Sequence, residues 1–425
     1  MFIFSEKFRG SPDGWQEVLD ANFLVGENST GKSSFGKLVK IIWSSEFQIG
    51  NRVIIQSNHI NEFSDFMSKL PRKKPTADEF TIGFFTDGNE DGSLGKIATY
   101  ENVKGEITLK KLTFIDDDEI KKLSYVDGEM RRSTRLLKVI SKNQNILKSI
   151  SDFHTIERKN YKVQDLPKRR PPANFWNFLM SHDLDELRKS EDGFTISQKA
   201  LDRTDSINDF GPIRSKPERV YFVGSSKFDS EGLASLGALK KSLNNKSFYN
   251  SLKNFGKKSG LYDDVEVIDL FEKLRRKAFA LKFKKNNVSF YADELGFGVS
   301  QVVPIVVEAL IEKKRAYLMI EQPELHLHPR AQAAFGELLY EFHKLNHHFI
   351  IETHSDFIID RFRTKIAESK NHSAAKDGQI IFFYKYGKRN LSTTIRMNED
   401  GSYIDTPKRY RDFFLHEQMR VFSAL

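Results

Sequence analysis

The chain has 425 residues, no cysteine and a formal net charge of +9, with 39% hydrophobic and 29% charged residues. This composition is that of a globular protein with a sizeable core, so it excludes collagen-like and wholly disordered chains. The lack of thiols excludes disulfides and cysteine-ligated metal sites. Because no apolar run is long enough to span a membrane and the start of the chain is charged, we expect a soluble cytoplasmic protein of roughly two or three domains.

The first predicted elements are a strand, a glycine-rich loop and a helix. Apolar residues 22–25 predict the strand, and apolar residues at helical spacing from Phe35 to Trp43 predict the helix. Between them lies the pattern Gly-x-x-x-x-Gly-Lys-Ser of a phosphate-binding loop, whose backbone N–H groups and following helix N-terminus attract phosphate. Lys32 would reach the β- and γ-phosphates, and the Ser33 hydroxyl would ligate Mg²⁺. We predict a nucleotide site, with ATP and Mg²⁺ as cofactors, at Gly26, Glu27, Asn28, Ser29, Thr30, Gly31, Lys32, Ser33 and Ser34.

The middle of the chain changes character. Alternating apolar residues between Phe80 and Ile115 predict antiparallel strands. From 116 to 274 the sequence is polar and basic, and we predict an inserted, mainly helical lobe that the proline-rich segment 167–172 interrupts.

Basic residues are concentrated around this predicted lobe. They form the groups Arg131-Arg132-Arg135-Lys138-Lys142, Lys168-Arg169-Arg170, Lys240-Lys241 and Arg275-Arg276-Lys277. Clustered Lys and Arg could follow a nucleic-acid backbone, with Phe175, Trp176 and Phe178 stacking on bases. A solvated helical face with core aromatics, and the docking of a partner protein, remain open alternatives.

The last third returns to strands alternating with helices. Residues 316–320 and 348–351 predict buried parallel strands, and 379–384 with 392–396 predict a terminal strand pair. Glu321 directly follows the first buried strand, where an acid would hold a metal ion, and His354 follows the second, where it could contact a γ-phosphate. The His326-x-His328 pair could indicate zinc or iron, but no third ligand is evident nearby.

The order of these motifs resembles that of ABC-type ATPases. The segments Gly296-Phe297-Gly298-Val299-Ser300-Gln301, Ile320-Glu321-Gln322-Pro323-Glu324-Leu325-His326-Leu327-His328-Pro329, Glu352-Thr353-His354-Ser355-Asp356 and Gly211-Pro212-Ile213-Arg214 are similar to the soluble branch that includes RecF, SMC and OLD proteins. The resemblance covers about residues 1–110 and 205–400. It implies an α/β fold: an ABC-type P-loop ATPase head, made of a mixed sheet with an antiparallel β subdomain, plus the inserted helical lobe. The predicted domains are then 1–115 and 275–425 for the two parts of the head, with 116–274 as the lobe, which rejoins the head from about 205.

The resemblance also implies a homodimer that sandwiches two ATP molecules. Lys32 and Ser33 of one copy would face Gly298, Ser300 and Gln301 of the other, while Ser33 and Glu321 would hold the metal and His354 would sense the γ-phosphate. Leu327-His328 would lie at the dimer seam, and Gln56 is a candidate for the glutamine loop of the family.

One residue departs from the family pattern. The position after the metal-binding acid usually carries a Glu that activates water, and this chain has Gln322. An amide orients water but cannot accept its proton, and general-base catalysis is typically worth about 10²–10⁴-fold. We therefore predict slow hydrolysis and a long-lived ATP-bound dimer, with Glu324 as the substitute base.

Similar stand-alone ATPase heads accompany nucleases or toxins in anti-phage systems such as Septu, PARIS and retron cassettes. The resemblance therefore favours a nucleotide-gated switch or scaffold, dimeric or of higher order, for a separate effector. The alternative is a RecF-like DNA repair or recombination ATPase that clamps DNA. The ATP-binding subunit of a membrane transporter is disfavoured, because the sequences of the motifs match those of the soluble branch.

Overall fold

The computed structural model describes residues 1–54, 65–66, 78–87, 93–117, 119–137, 145–156, 161–164, 170–181, 207–212, 214, 216–222, 233–270, 278–311, 317–369 and 373–413. The chain divides into two compact units. Unit 1 comprises residues 1–18, 28–205 and 384–391, and unit 2 comprises 19–27, 206–383 and 392–425.

The strands of the described residues are β1 (Phe2–Glu6), β2 (Gly14–Glu17), β3 (Ala21–Gly26), β4 (Glu79–Thr86), β5 (Leu94–Val103), β6 (Glu106–Asp116), β7 (Glu119–Val126), β8 (Glu129–Leu136), β9 (Lys162–Gln164), β10 (Ile207–Phe210), β11 (Tyr221–Phe222), β12 (Asp264–Leu270), β13 (Ala278–Lys285), β14 (Val288–Tyr291), β15 (Tyr317–Glu321), β16 (His348–Glu352), β17 (Gly378–Tyr386), β18 (Arg389–Met397) and β19 (Tyr403–Ile404). The helices are α1 (Lys32–Trp43), α2 (Ser45–Gln48), α3 (Ile146–Thr155), α4 (Phe175–Ser181), α5 (Leu233–Ser242), α6 (Lys246–Ser259), α7 (Phe297–Ile311), α8 (Pro329–Lys344), α9 (Asp356–Glu368) and α10 (Ser373–Asp377), with a 3₁₀ turn at Ala292–Glu294.

Unit 1 is built on an eight-stranded antiparallel sheet in the order β2-β1-β4-β5-β6-β7-β8-β9. Apolar side chains on one face of this sheet pack against α3 in a core cluster that includes Phe85, Ile97, Ile115, Ile150 and Phe153. The antiparallel strands predicted between Phe80 and Ile115 are confirmed. Strands β4 and β5 each have six consecutive buried residues, so both of their faces are covered.

The prediction of a mainly helical lobe from residue 116 is wrong for 119–136, which forms β7 and β8. The two strands are joined by Asp127 and Gly128, whose φ angles of 52° and 83° are those of a two-residue hairpin turn. One basic side chain of these strands lies in the interior of unit 1. Lys122 is 3% exposed, and its amine donates to the carbonyl oxygens of Phe153 and Ile156 at the end of α3, at 2.9 and 2.7 Å.

A second buried lysine makes the same kind of contact. Lys96 on β5 is 2% exposed, and its amine donates to the carbonyl oxygens of Phe47 and Gln48 at the end of α2, both at 2.8 Å. Each amine therefore satisfies carbonyl groups that the end of a helix leaves unpaired.

Unit 2 contains a seven-stranded mixed sheet in the order β10-β15-β16-β3-β17-β18-β19. The first five strands are parallel, and β18 and β19 are antiparallel. Strand β3 is buried along its whole length, as the apolar run predicts for a central strand covered on both faces. A smaller antiparallel sheet joins β11, β13, β12 and β14. The α/β fold class with its mixed sheet and antiparallel β subdomain is confirmed.

The helices of the described residues include none that is both long and apolar enough to cross a bilayer. The predicted domain limits at 115 and 274 stay a prediction.

Candidate functional site

Three neighbouring parallel strands of unit 2 end at one edge of the sheet, which we call the carboxyl edge. The register pairs Glu321 on β15 with Glu352 on β16, and Glu352 with Leu24 on β3. The Thr353 N–H donates to the Leu24 carbonyl oxygen at 3.1 Å. Glu321, the segment that carries His354 and the first residues of the phosphate-binding loop therefore follow adjacent strand ends, which is where open α/β sheets bind ligands.

The phosphate-binding loop begins at a glycine that no other residue can replace without strain. Gly26 has φ 145°, and a Cβ atom there would lie 2.0 Å from the Phe383 carbonyl oxygen of the neighbouring β17. Glu27 is exposed at the carboxyl edge. Because β17 pairs with β3 up to Gly26, the backbone leaves the sheet only after this residue.

The rest of the loop belongs to unit 1. Asn28 and Ser29 are exposed, Thr30 is buried, and Lys32 is 4% exposed at the start of α1. Gly31 has φ 104°, and a Cβ atom there would lie 2.0 Å from the Gly10 carbonyl oxygen. The first turn of α1 contains no acidic residue, so the partial positive charge of its N-terminus is available to an anion.

Ser33 and Ser34 differ in exposure and in contacts. Ser33 is exposed in the first turn of α1, and the Ser34 hydroxyl accepts a hydrogen bond from the Gly10 N–H at 3.3 Å. Gln56, the candidate for the glutamine loop, lies outside the described residues.

The loop after Glu321 is a series of tight turns. Gln322 has φ 45°, and its N–H donates to the Glu352 carbonyl oxygen at 2.7 Å, which ties the loop to the end of β16. The Leu327 N–H donates to the Glu324 carbonyl oxygen at 2.9 Å. A non-glycine residue at positive φ is uncommon and often marks a functional site.

Glu324 connects this loop to the segment that carries His354. Its carboxylate oxygens accept hydrogen bonds from the His354 N–H at 2.7 Å and from the Thr353 hydroxyl at 2.9 Å. Burial raises the pKa of Glu324 above its usual value, while these hydrogen bonds and the charge of Arg214 act in the opposite direction. The carboxylate is therefore fixed in position and is a stronger base than an exposed Glu.

Arg214 is the residue of this site to which the sequence assigned no role. It is 3% exposed, and its Nη2 donates to the Glu321 carbonyl oxygen at 3.0 Å. Burial lowers the pKa of Arg214 to about 10, against the opposing charges of Glu324 and Glu321. In the sequence it stands as an isolated arginine in Gly-Pro-Ile-Arg. Nothing in that pattern indicates which residue or ligand the arginine binds.

The predicted signature residues lie at the start of α7. A Cβ atom at Gly298 would lie 2.9 Å from the His326 carbonyl oxygen, so the helix and the loop after β15 approach closely. The Ser300 hydroxyl donates to the Phe297 carbonyl oxygen at 2.8 Å. The Gln301 amide accepts from the Arg214 N–H at 3.2 Å and donates to the Arg214 carbonyl oxygen at 3.3 Å. Both side chains are buried within the chain, and their contact with the nucleotide of another copy stays a prediction.

His326 and His328 have separate roles in the loop. The His328 Nδ1 accepts from the Ala331 N–H at 3.3 Å and caps α8, with Pro329 as the first helical residue. The exposed His326 ring lies 5.3 Å from that of Phe297. The part of the chain that the structure describes contains no group of three His, Asp or Glu side chains suited to a metal, so the zinc interpretation gains no support.

Several residues of the basic groups are engaged within the protein. Arg170 donates to Glu101 at 2.6 Å and lies over the Tyr125 ring, Arg131 pairs with Glu129 at 3.3 Å, and Lys240 pairs with Asp269. Trp176 is fully buried, so its ring is a core side chain. Lys138, Lys142, Lys168, Arg169 and residues 275–277 lie outside the described residues.

Residues 21–360 match the family described as "AAA domain, putative AbiEii toxin, Type IV TA system". The chain belongs to this family. The match covers more than half of the chain and includes the phosphate-binding loop, Glu321 and His354. An ATPase domain of the P-loop type is therefore present within these residues.

More distant likenesses involve one curated protein and several solved structures. An 84-residue stretch is 33% identical to an OLD nuclease of Thermus scotoductus, and it spans 19% of this chain and 16% of the nuclease. An SmcHead bound to the C-winged helix domain of ScpA is 10% identical, with a TM-score of 0.47 over 94% of this chain and 98% of that one. The SMC head domain of Thermotoga maritima is 11% identical, with a TM-score of 0.42 over 93% and 98%.

Proposed function

We propose that this chain is an ATPase that dimerises on ATP and acts as a nucleotide-gated switch or scaffold for a separate effector, a nuclease or toxin, in bacterial anti-phage defence. The observation that supports the nucleotide site is the carboxyl edge of unit 2. There the start of the phosphate-binding loop, Glu321 and the segment of His354 follow neighbouring parallel strands.

In this proposal the phosphates of ATP bind to the backbone of residues 26–34, and Lys32 neutralises part of their charge. Ser33 and Glu321 hold Mg²⁺, which fits the chemistry of the two side chains because Mg²⁺ prefers hydroxyl and carboxylate oxygens. When bound, Mg²⁺ supplies neutralisation of the charge that develops on the transferred phosphoryl group.

Hydrolysis requires a water molecule that is oriented and deprotonated. Gln322 orients this water through its amide, and Glu324 accepts the proton. The Thr353 hydroxyl and the His354 N–H hold the Glu324 carboxylate in one orientation, and its burial strengthens it as a base. His354 senses the γ-phosphate from the end of β16.

The proposed dimer and the proposed effector are supported by separate observations. The start of α7 packs against the loop after β15 at Gly298, so Gly298, Ser300 and Gln301 would respond as a unit to the nucleotide of a second copy. The family description names a toxin system, and one relative of this chain is a nuclease. These names motivate an effector of that class.

The decisive experiment measures binding of Mg²⁺ with a non-hydrolysable ATP analogue by calorimetry, and molar mass by light scattering. The wild type should bind the analogue and double its mass, and Lys32→Ala should lose both properties. Lys40→Ala, near the other end of the same helix, is the matched control and should behave as the wild type. Binding by Lys32→Ala with wild-type affinity would refute the proposed site.

The same preparation distinguishes the alternative of a DNA clamp. Hydrolysis that DNA stimulates, with a steep dependence on salt, would favour the clamp over the effector switch. Three of the basic residues form ion pairs within the protein, namely Arg131, Arg170 and Lys240. These ion pairs give no support to an extended DNA-binding surface.

A further inference from the structure

Arg214 is a buried cation that hydrogen bonds hold in position at the carboxyl edge. It follows β10, the neighbour of β15 in the sheet, and only 3% of it is exposed. The side-chain amide of Gln301 bonds to both its N–H and its carbonyl oxygen. The position of the guanidinium group is therefore set from two sides, by α7 through the backbone and by the end of β15 through Nη2.

The guanidinium group carries more donors than the described part of the protein uses. Nη2 donates to the Glu321 carbonyl oxygen, but Nε and Nη1 are buried and have no hydrogen-bond partner among the described residues. Buried polar groups in native proteins are hydrogen-bonded in the large majority of cases. Two donors on one buried cation that no described residue satisfies are compatible with a bound acceptor such as a ligand oxygen.

The neighbouring carboxylates do not fill this role. Glu324 and Glu321 are close enough to interact electrostatically with Arg214, but neither carboxylate is hydrogen-bonded to Nε or Nη1, and the oxygens of Glu324 accept from Thr353 and His354. The planar guanidinium fork matches the oxygens of a phosphate group. Under the proposed function, a phosphate is the ligand expected at this edge, where the phosphate-binding loop begins.

We propose that Arg214 binds an oxygen of the terminal phosphate of ATP through Nε and Nη1, and thereby discriminates ATP from ADP. The inference rests on the proposed function, because it requires a triphosphate at the carboxyl edge. Since Gln301 lies on α7, Arg214 also links the terminal phosphate to the helix that carries Gly298 and Ser300.

The test compares affinities for a non-hydrolysable ATP analogue and for ADP, each with Mg²⁺, by calorimetry. Arg214→Met should weaken binding of the analogue by about tenfold to hundredfold, as expected for hydrogen bonds to a charged group. Binding of ADP should stay within about threefold of the wild type, which a general disturbance of the fold would not allow. Arg214→Lys, which keeps the charge without the fork, should give an intermediate loss.

Arg219→Met is the matched control on the same segment. Arg219 is an exposed arginine that pairs with Asp293 and Glu294 at 3.4 and 3.3 Å, and its substitution should leave both affinities unchanged.

An equal loss for the two nucleotides in the Arg214 variants, or no loss, would overturn the inference. If the wild type binds neither nucleotide, the proposed function fails first. If the wild type prefers the analogue and the Arg214 variants keep that preference, only this inference fails.

A structure of the wild type with Mg²⁺ and the analogue decides the matter even if the Arg214 variants do not fold. A terminal phosphate oxygen within about 3.2 Å of Nε or Nη1 would support the contact. Terminal phosphate oxygens that all lie more than about 4 Å from both nitrogens would overturn it.

Discussion

Gln322 and Glu324 differ in what they can do to a water molecule. The amide of Gln322 can orient water but cannot accept a proton, whereas Glu324 has a carboxylate held by two hydrogen bonds. We propose that Gln322 orients the water molecule and that Glu324 accepts its proton. We expect slow turnover, because the proposed proton acceptor is displaced by two positions from the usual one.

Replacing Gln322 with glutamate should restore the missing base. We expect Gln322→Glu to hydrolyse ATP faster than the wild type, by a factor of up to about 10²–10⁴. Single-turnover hydrolysis at saturating ATP measures this. Equal rates for the two proteins would contradict the role given to Gln322.

Removing the substitute base should have the opposite effect. Glu324→Gln should lower kcat by about 10²–10⁴-fold while leaving the affinity for the ATP analogue nearly unchanged. Because burial raises the pKa of Glu324, wild-type hydrolysis should fall on acidification at a pH above the usual pKa of a carboxyl group. A kcat for Glu324→Gln equal to that of the wild type would exclude Glu324 as the base.

Lys96 makes the stability of unit 1 depend on pH. Burial lowers the pKa of its amine to about 7, from 10.5 when unfolded. Between these values the unfolded chain binds more protons, so the free energy of unfolding rises with pH. Relative to Lys96→Met, the wild type should gain up to about 1.4 kcal/mol per pH unit in this window, measured by urea unfolding. A difference between the two proteins that is constant from pH 7 to 10 would contradict this assignment.

At the scale of the element, the phosphate-binding loop depends on close backbone contacts. Gly31 has φ 104° and lies against the Gly10 carbonyl oxygen, whereas Gly105 has φ 90° in the β5–β6 turn with open space around it. Both substitutions by alanine carry the cost of positive φ, about 1 kcal/mol or more. Only at Gly31 would the added Cβ atom also overlap the Gly10 carbonyl group and push the two backbone segments apart.

We therefore expect Gly31→Ala to lose more stability than Gly105→Ala and, in addition, to lose nucleotide binding. Thermal unfolding and calorimetric titration with the ATP analogue measure the two effects. Gly105→Ala, the control for the backbone conformation alone, should bind the analogue as the wild type does. Normal nucleotide affinity in Gly31→Ala would show that the tight contact is not needed for the loop.

The elements that the sequence predicted correctly have local signals. The strand, loop and helix around Gly26–Ser33 form one continuous motif, and the apolar runs at β15 and β16 predict buried strands without knowledge of their neighbours. Strands β7 and β8 were missed because basic residues masked their alternation, although Asp127-Gly128 is a hairpin signal. The bond between Arg214 and Gln301 joins residues 87 positions apart, so nothing local predicts it.

At the scale of the whole molecule, the proposal concerns association. ATP should convert monomers to dimers, and the slow hydrolysis expected from Gln322 should keep them closed long enough for an effector to bind. Glu324→Gln should prolong this state further. Small-angle scattering over time after addition of ATP measures the lifetime, and a dimer that forms equally well without nucleotide would contradict the switch.

The buried amines of Lys96 and Lys122 have a consequence for how the chain reaches its folded form. Each one anchors the end of a helix to the antiparallel sheet through two carbonyl oxygens. Acetylation or carbamylation of these amines in the nascent chain would leave α2 and α3 without their anchors. Once unit 1 has folded, both amines are buried, so we expect reagents that acylate surface lysines to modify them far more slowly in the folded protein than in its unfolded precursor.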